Sequence, residues 1–164
     1  MEWRIVPIAE EHIGSFRAVV DSVAREKRFL LFLEAPSLEN CTAFVTENLR
    51  KGHAQFVALA GEQLVGWCDI IPIPRHAAAH VGVVGLGVLK DFRGQGIGPA
   101  LLRAALEKAR AKGLTRIELD VREDNRPAIA LYERLGFERE GRKRNAVRVD
   151  GKYTDVIAMA LLFE

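Results

Sequence analysis

Apolar residues recur at helical spacing in four stretches of the chain and alternate with polar residues elsewhere. From Glu10 to about Phe32, Ile13, Phe16, Val19, Val20 and Val23 share one face and predict a helix. Pro36-Ser-Leu-Glu39 starts a second helix, which Leu38, Cys41, Phe44, Val45 and Leu49 carry to Gly52. A third has Leu101, Leu102, Ala105, Leu106 and Ala109 on one side, with Arg103, Glu107, Lys108 and Arg110 opposite, and ends at Gly113. The fourth is short. Ala128, Leu131, Tyr132 and Leu135 form its apolar face, Asn125-Arg-Pro127 begins it and Gly136 stops it.

Strands are expected at Trp3–Ile8, then at Gln55–Ala60 and Gln63–Ile71 around the turn Gly61-Glu62. A Val/Gly-rich strand follows from Val81 to Leu89, after a loop containing two prolines. Arg116–Arg122 alternates Ile117, Leu119 and Val121 against Glu118 and Asp120, as a half-exposed strand does. Asp150-Gly151 joins Arg144–Val149 to Lys152–Leu162 in a terminal hairpin. The order β-α-α-β-β-β-α-β-α-β-β is that of a mixed α/β fold with both hairpins and helical crossovers.

A length of 164 residues suits one domain, and no repeat or linker divides it. The excess of 24 basic over 22 acidic residues is too small to argue for nucleic acid or an acidic membrane. Apolar runs are interrupted well before the length of a membrane span, and the start, Met-Glu-Trp-Arg-Ile-Val-Pro, lacks a signal-peptide pattern. Cys41 and Cys68 form no disulfide framework and match no metal spacing. A cytoplasmic location is the expectation.

The richest chemical signal is Arg93-Gly-Gln-Gly-Ile-Gly98, between the Val/Gly strand and the third helix. Closely spaced glycines at a helix start offer several backbone N–H groups to one anion at the positive end of the dipole. A nucleotide-triphosphate loop needs Lys-Ser/Thr after its last glycine, but Pro99-Ala100 stands there. A dinucleotide turn needs glycine at the sixth place of G-x-G-x-x-G, where Gly94-Gln-Gly-Ile-Gly-Pro99 has proline. The plain alternative is a tight turn with Pro99 in the first helical turn.

The remaining R-x-x-G-x-G pattern on a strand–turn–helix resembles the acyl-coenzyme A signature of the GNAT superfamily of N-acetyltransferases. Asn125-Arg-Pro-Ala-Ile-Ala-Leu-Tyr132-Glu-Arg-Leu-Gly-Phe137 resembles that superfamily's N-x-x-A-x-x-L-Y-x-x-x-G-F block. The resemblance covers nearly the whole chain in element order. It implies a GNAT-like fold: a mostly antiparallel sheet of about seven strands, splayed between the fourth and fifth, with about four flanking helices.

The resemblance also implies acetyl-CoA as cosubstrate, without a metal. Arg93, Gly94, Gln95, Gly96, Ile97 and Gly98 would meet the pyrophosphate. The backbone groups of Leu86 and Val88 would pair with the pantetheine amides, and Asn125 would cap its helix or hold the cofactor. Gly82, Gly85 and Gly87 then mark a ligand pressing on the strand, or else a strand thinned for packing. Tyr132, a phenol protonated at neutral pH, would protonate the departing thiolate. Asp120, twelve residues earlier, would be the base, at a position resembling that of the acid in ribosomal-protein alanine acetyltransferases. His80 is the second candidate base.

His76 and His80 have the spacing of a helical metal pair but lie in an expected loop without further ligands, so no metal is expected. Arg139, Arg142, Lys143, Arg144 and Arg148 are interrupted by Glu138 and Glu140, which reads as a solvated hairpin face. The segments Val23–Leu30 and Asp150–Asp155 resemble bacterial amino-acid N-acyltransferases, which implies a small amine acceptor such as an amino acid. A protein N-terminus is the alternative acceptor, and a non-catalytic acyl-CoA sensor the alternative class. Glu26 or Arg75-His76 could pair with a charged acceptor. Dimerisation is common among such relatives, and the resemblance raises a homodimer without fixing its interface.

Overall fold

A computed structural model describes residues 2–163. The strands are β1 (Arg4–Pro7), β2 (Ala54–Ala60), β3 (Gln63–Pro72), β4 (Val81–Val88), β5 (Arg116–Arg122), β6 (Glu138–Val149) and β7 (Lys152–Leu162). The helices are α1 (Ile13–Arg25), α2 (Leu38–Lys51), α3 (Ile97–Ala111) and α4 (Arg126–Arg134). One seven-stranded sheet runs in the order β1-β2-β3-β4-β5-β7-β6. Every neighbouring pair is antiparallel except β4 and β5.

The helix ends follow local chemistry. Ser37 caps α2 by accepting from the Asn40 N–H at 3.1 Å, and Gly52 closes it in the left-handed conformation. Both faces of the sheet are covered. Ile97, Leu101, Leu102 and Ala105 of α3 pack with Cys68, Ile70 and Ile117 on one face. On the other, Phe16, Val19, Val20 and Val23 of α1 pack with Val57 and Trp67. Leu101 and Leu102 are wholly buried, each contributing about 1.5–3 kcal/mol of apolar transfer energy.

Two boundaries differ from those expected. α1 stops at Arg25 instead of reaching Phe32, because its apolar stripe ends at Val23 and Ala24 and Lys27 turns left-handed at φ 58°. The chain from 26 to 34 is a loop, tied back where the Ala35 N–H donates to Asp21 and Arg17 donates to the Pro36 carbonyl. β6 begins at Glu138 instead of Arg144. It is an exposed sheet edge with no buried face to impose alternation, and its register with β7 slips between Arg139 and Gly141 and again between Lys143 and Val147.

Candidate active site

The sheet divides between β4 and β5. Their parallel pairing covers only Val81 with Arg116, Gly82 with Ile117 and Val83 with Glu118, after which the strands part. In β4 the Leu89 N–H donates to the Val65 carbonyl, which sets the alternation along the antiparallel ladder. Gly87 and Gly85 therefore exchange hydrogen bonds with β3, whereas the N–H and C=O groups of Leu86 and Val88 point away from it, into the gap. The gap opens into a cleft of about 1150 Å³.

The turn after β4 lies at the open end. Gly94 and Gly96 have φ of 78° and 87°, a backbone region costly to any residue with a Cβ. Gly96 is the N-cap of α3 and supplies no side chain, so the first amides of that helix are left to a ligand or solvent. The N–H groups of Gly94, Gln95 and Gly96 donate to no backbone carbonyl among the described residues. Gly98 has an ordinary φ, and a Cβ there would sit 3.8 Å from Leu131, in normal contact. Nothing in the protein itself requires glycine at that position.

Arg93 does not point its guanidinium into this turn. Its Nε donates to the Val88 carbonyl at 2.9 Å, and its two terminal nitrogens grip Glu26 at 2.9 and 2.5 Å. The guanidinium also lies 4.4 Å from the centre of the Phe29 ring. Val88 thus keeps its N–H for the gap but has its carbonyl engaged. Glu26, considered as a contact for a charged acceptor, is committed to Arg93.

The β4 glycines have an internal reason. A Cβ on Gly87 would lie 2.3 Å from the Trp67 ring, and one on Gly85 would lie 2.9 Å from Asp69 Oδ1. At Gly82 it would meet Ile70 at 2.5 Å and Leu114 at 2.8 Å. The strand is thinned so that neighbouring side chains can lie across it. Packing accounts for these glycines without a ligand.

Asn125 caps α4, its Oδ1 accepting from the Ala128 N–H at 3.3 Å, and it also lines the cleft. Tyr132, on the same helix, is buried against Phe137 with ring centres 5.6 Å apart, and it too lines the cleft. Burial pushes its phenol well above the ordinary range, with nearby Cys68 adding in the same direction, so it is protonated at neutral pH. Asp120 lies on the cleft side of β5, where Lys143 Nζ meets its Oδ2 at 2.7 Å. His80 does not line the cleft, although the Thr115 and Arg116 N–H groups donate to its carbonyl where β4 and β5 begin to pair. Among the described residues no cluster of three or more His, Cys, Asp or Glu side chains could hold a metal.

A split parallel pair, a glycine turn at its mouth and a buried tyrosine on the next helix are the arrangement that the resemblance implies. The model of the acetyltransferase (GNAT) family matches residues 18–137. The chain belongs to that family. A protein named N-alpha-acetyltransferase RimI from Mycobacterium tuberculosis is 38% identical over 66% of this chain and 68% of its own length. L-amino acid N-acetyltransferase AaaT from Escherichia coli is 35% identical over 68% of this chain and 69% of its own. The GNAT fold is shared with the Salmonella typhimurium protein yncA, solved with acetyl-CoA, at a TM-score of 0.93 with 15% identity, covering 100% of this chain and 95% of that one.

Two contributors to this GNAT cleft, and one residue behind its wall, carry no motif of their own. The loop 28–32 lines it, although the apolar spacing there suggested helix. Lys143 reaches Asp120 from β6, a strand segment without periodicity. Asp69 does not line the cleft but lies against Gly85, which does, and a lone carboxylate inside the apolar run Leu64–Ile71 marks it in the sequence.

Proposed function

We propose that this GNAT acetyltransferase moves the acetyl group of acetyl-CoA to the primary amine of a small acceptor such as an amino acid. The observation that carries the donor half is the gap between β4 and β5 with the turn 93–98 at its mouth. The free backbone groups of Leu86 and the N–H of Val88 suit the pantetheine amides, while the amides from Gly94 to Gly98 suit the pyrophosphate. Asn125 adds a side-chain amide to the lining of the same cleft. Arg93 acts indirectly, by holding the turn and the loop 26–34 together.

The amine attacks the thioester carbonyl directly, and a β4 N–H stabilises the oxyanion. As the C–N bond forms and the C–S bond breaks, Tyr132 gives its proton to the thiolate. The tyrosinate then takes one from the new amide nitrogen, which restores the phenol. Asp120 contributes a carboxylate on the β5 wall, in contact with Lys143.

The small-acceptor reading rests on the loop 28–32, which lines the cleft with apolar side chains, and on Arg28. Arg28 lines the cleft and forms no ion pair with a carboxylate of the described residues, so it is available to an acceptor's carboxylate. The relative AaaT, by its name, acts on L-amino acids.

The test is thiol release from acetyl-CoA across a panel of free amino acids, simple amines and alanine-initiated peptides. Release with amino acids and none with peptides is expected. Peptide-only turnover would replace the acceptor, in line with the name of the RimI relative. Binding of acetyl-CoA without any release would make the chain a sensor.

A further inference from the structure

Among the described residues, three of the four buried polar side chains lie together on the face of the sheet that α1 and α2 cover: Asn48 on α2, Gln55 on β2 and Asp69 on β3. Asn48 Nδ2 donates to Gln55 Oε1 at 3.0 Å, and His53 Nδ1 lies 3.3 Å from Asn48 Oδ1. Gln55 and Asp69 are directly paired across β2 and β3, and Asp69 is paired in turn with Gly85 on β4. A polar row therefore crosses the sheet from α2 to the strand that forms one wall of the cleft.

That row is incomplete at its cleft end. Gln55 Nε2 is a buried donor without a partner among the described residues. Asp69 is 7% exposed, and its carboxylate receives no hydrogen bond from the described residues. A buried carboxylate without donors or a cation is costly to ionise. Its position is unusual as well. Gly85 has no side chain, so Asp69 Oδ1 can lie 2.9 Å from where its Cβ would be; Gly85 lines the cleft and Asp69 stands directly behind it. Val83, Gly85 and Gly87 share this face, and the loop 28–32 reaches the cleft as the continuation of α1, which packs on it.

We propose that the Asp69 carboxylate, which lies against Gly85 behind the β4 wall of the cleft, takes the proton from the ammonium group of the incoming acceptor. The proposal deepens the acetyltransferase reading and rests on it. One proton passes from R–NH3⁺ to a carboxylate oxygen of Asp69, leaving R–NH2 with its lone pair free to attack and a neutral carboxyl. Asp69 then releases that proton to solvent. The second proton, on the acylated nitrogen, returns to Tyr132 as described above, so the net reaction yields amide, thiol and one proton.

The surroundings of Asp69 suit this exchange. Burial alone raises its carboxyl from 3.8 to about 7, which places it near the working pH. No charged neighbour contributes to that shift: Asp69 pairs with Gln55 on β2 and Gly85 on β4, on the face of the sheet that the apolar stripe Phe16, Val19, Val20 and Val23 of α1 covers. The Cys68 thiol, next in the chain, is held neutral by burial, and it belongs to the core on the opposite face. His53 lies at the far end of the row, its basicity lowered by burial. Asp120 differs, because Lys143 already engages one of its oxygens at 2.7 Å.

Steady-state kinetics of wild type, Asp69→Asn and Asp120→Asn test the assignment, with the acceptor that gives the best thiol release. Wild-type protein inactive on every amine would defeat the acetyltransferase reading itself, before Asp69 comes into question. With wild-type activity in hand, Asp69→Asn is expected to lower kcat/KM roughly 100-fold at neutral pH and to abolish its acidic limb, while acetyl-CoA binding is unchanged. A weakly basic amine, already neutral at the assay pH, should recover most of the lost rate, which a misfolded variant would not do. Asp120→Asn should raise KM for the acceptor and keep the limb. Retention of rate and acidic limb in Asp69→Asn, or loss of the limb only in Asp120→Asn, overturns the proposal.

Discussion

Arg93 and Glu26 are sixty-seven residues apart, and they join the turn before α3 to the end of α1 through two hydrogen bonds of 2.9 and 2.5 Å. The same guanidinium packs on Phe29 and holds the Val88 carbonyl, so one side chain gathers both sides of the cleft mouth. Arg93→Ala should cost about 1–2 kcal/mol, a fall in Tm of about 2–8 °C for a chain of this size. Trypsin should also cut faster at Lys27 and Arg28 as the loop loosens. Arg93→Lys should behave nearly as badly, because an ammonium cannot reproduce the paired geometry. Unchanged proteolysis in both variants would show that the loop holds itself.

Tyr132→Phe removes one oxygen from a buried ring that packs on Phe137. The ring contacts survive, so the variant should fold and bind acetyl-CoA as the wild type does. Without the phenolic proton, kcat should fall at least ~100-fold. Equal turnover in the two proteins would remove Tyr132 from the chemistry.

Two glycines of the turn, Gly96 and Gly98, should separate under substitution. Gly96→Ala forces a Cβ into the left-handed region at φ 87° and should destabilise the fold by about 1–2 kcal/mol. Gly98→Ala meets only Leu131 at 3.8 Å, so thermal stability should hold. If a pyrophosphate lies on the Gly98 amide, that same variant should weaken acetyl-CoA binding by roughly tenfold or more, read by calorimetry. Wild-type affinity in Gly98→Ala would move the anion seat elsewhere.

Asp69 makes stability depend on pH in a direction opposite to that of a paired carboxylate. Its carboxyl binds a proton more tightly folded than unfolded, at about 7 against 3.8. Its contribution is therefore complete below about pH 4 and is lost as pH rises through about 7, by at most about 4 kcal/mol. Asp69→Asn should flatten that slope, matching the wild type in acid and exceeding it at pH 8 in urea melts. A variant less stable than the wild type at pH 8 would mean that the carboxylate is better solvated than its burial indicates.

The fold was largely legible because its elements obey simple periods. α3 and β5 each bury one clean face, and their bounds follow from Leu101, Leu102 and Ala105 or from Ile117, Leu119 and Val121. Legibility failed where burial stops dictating the pattern. Phe29 to Leu33 is apolar yet belongs to a loop, since these side chains line a cleft or stand in solvent instead of forming a stripe. Glu138 to Asn145 is strand by pairing alone. In the site, the glycine turn and Tyr132 announced themselves by spacing, whereas the Arg93–Glu26 pair and the Asp69–Gly85 juxtaposition come from strand register and loop path, which no local window contains. Of the two readings of Gly82, Gly85 and Gly87, a ligand or close packing, their neighbours Ile70, Asp69 and Trp67 supply the second.

The parting of β4 from β5 leaves open strand edges in the middle of a sheet, where most folds expose them only at the rim and blunt them with charge or proline. An extended molecule bearing amides can lie there as an additional strand, so occupancy should govern shelf life as well as catalysis. Amide hydrogens of Leu86 and Val88 should exchange slowly only when that molecule is bound. Preparations kept with such a ligand should resist the edge-to-edge association that an exposed strand invites.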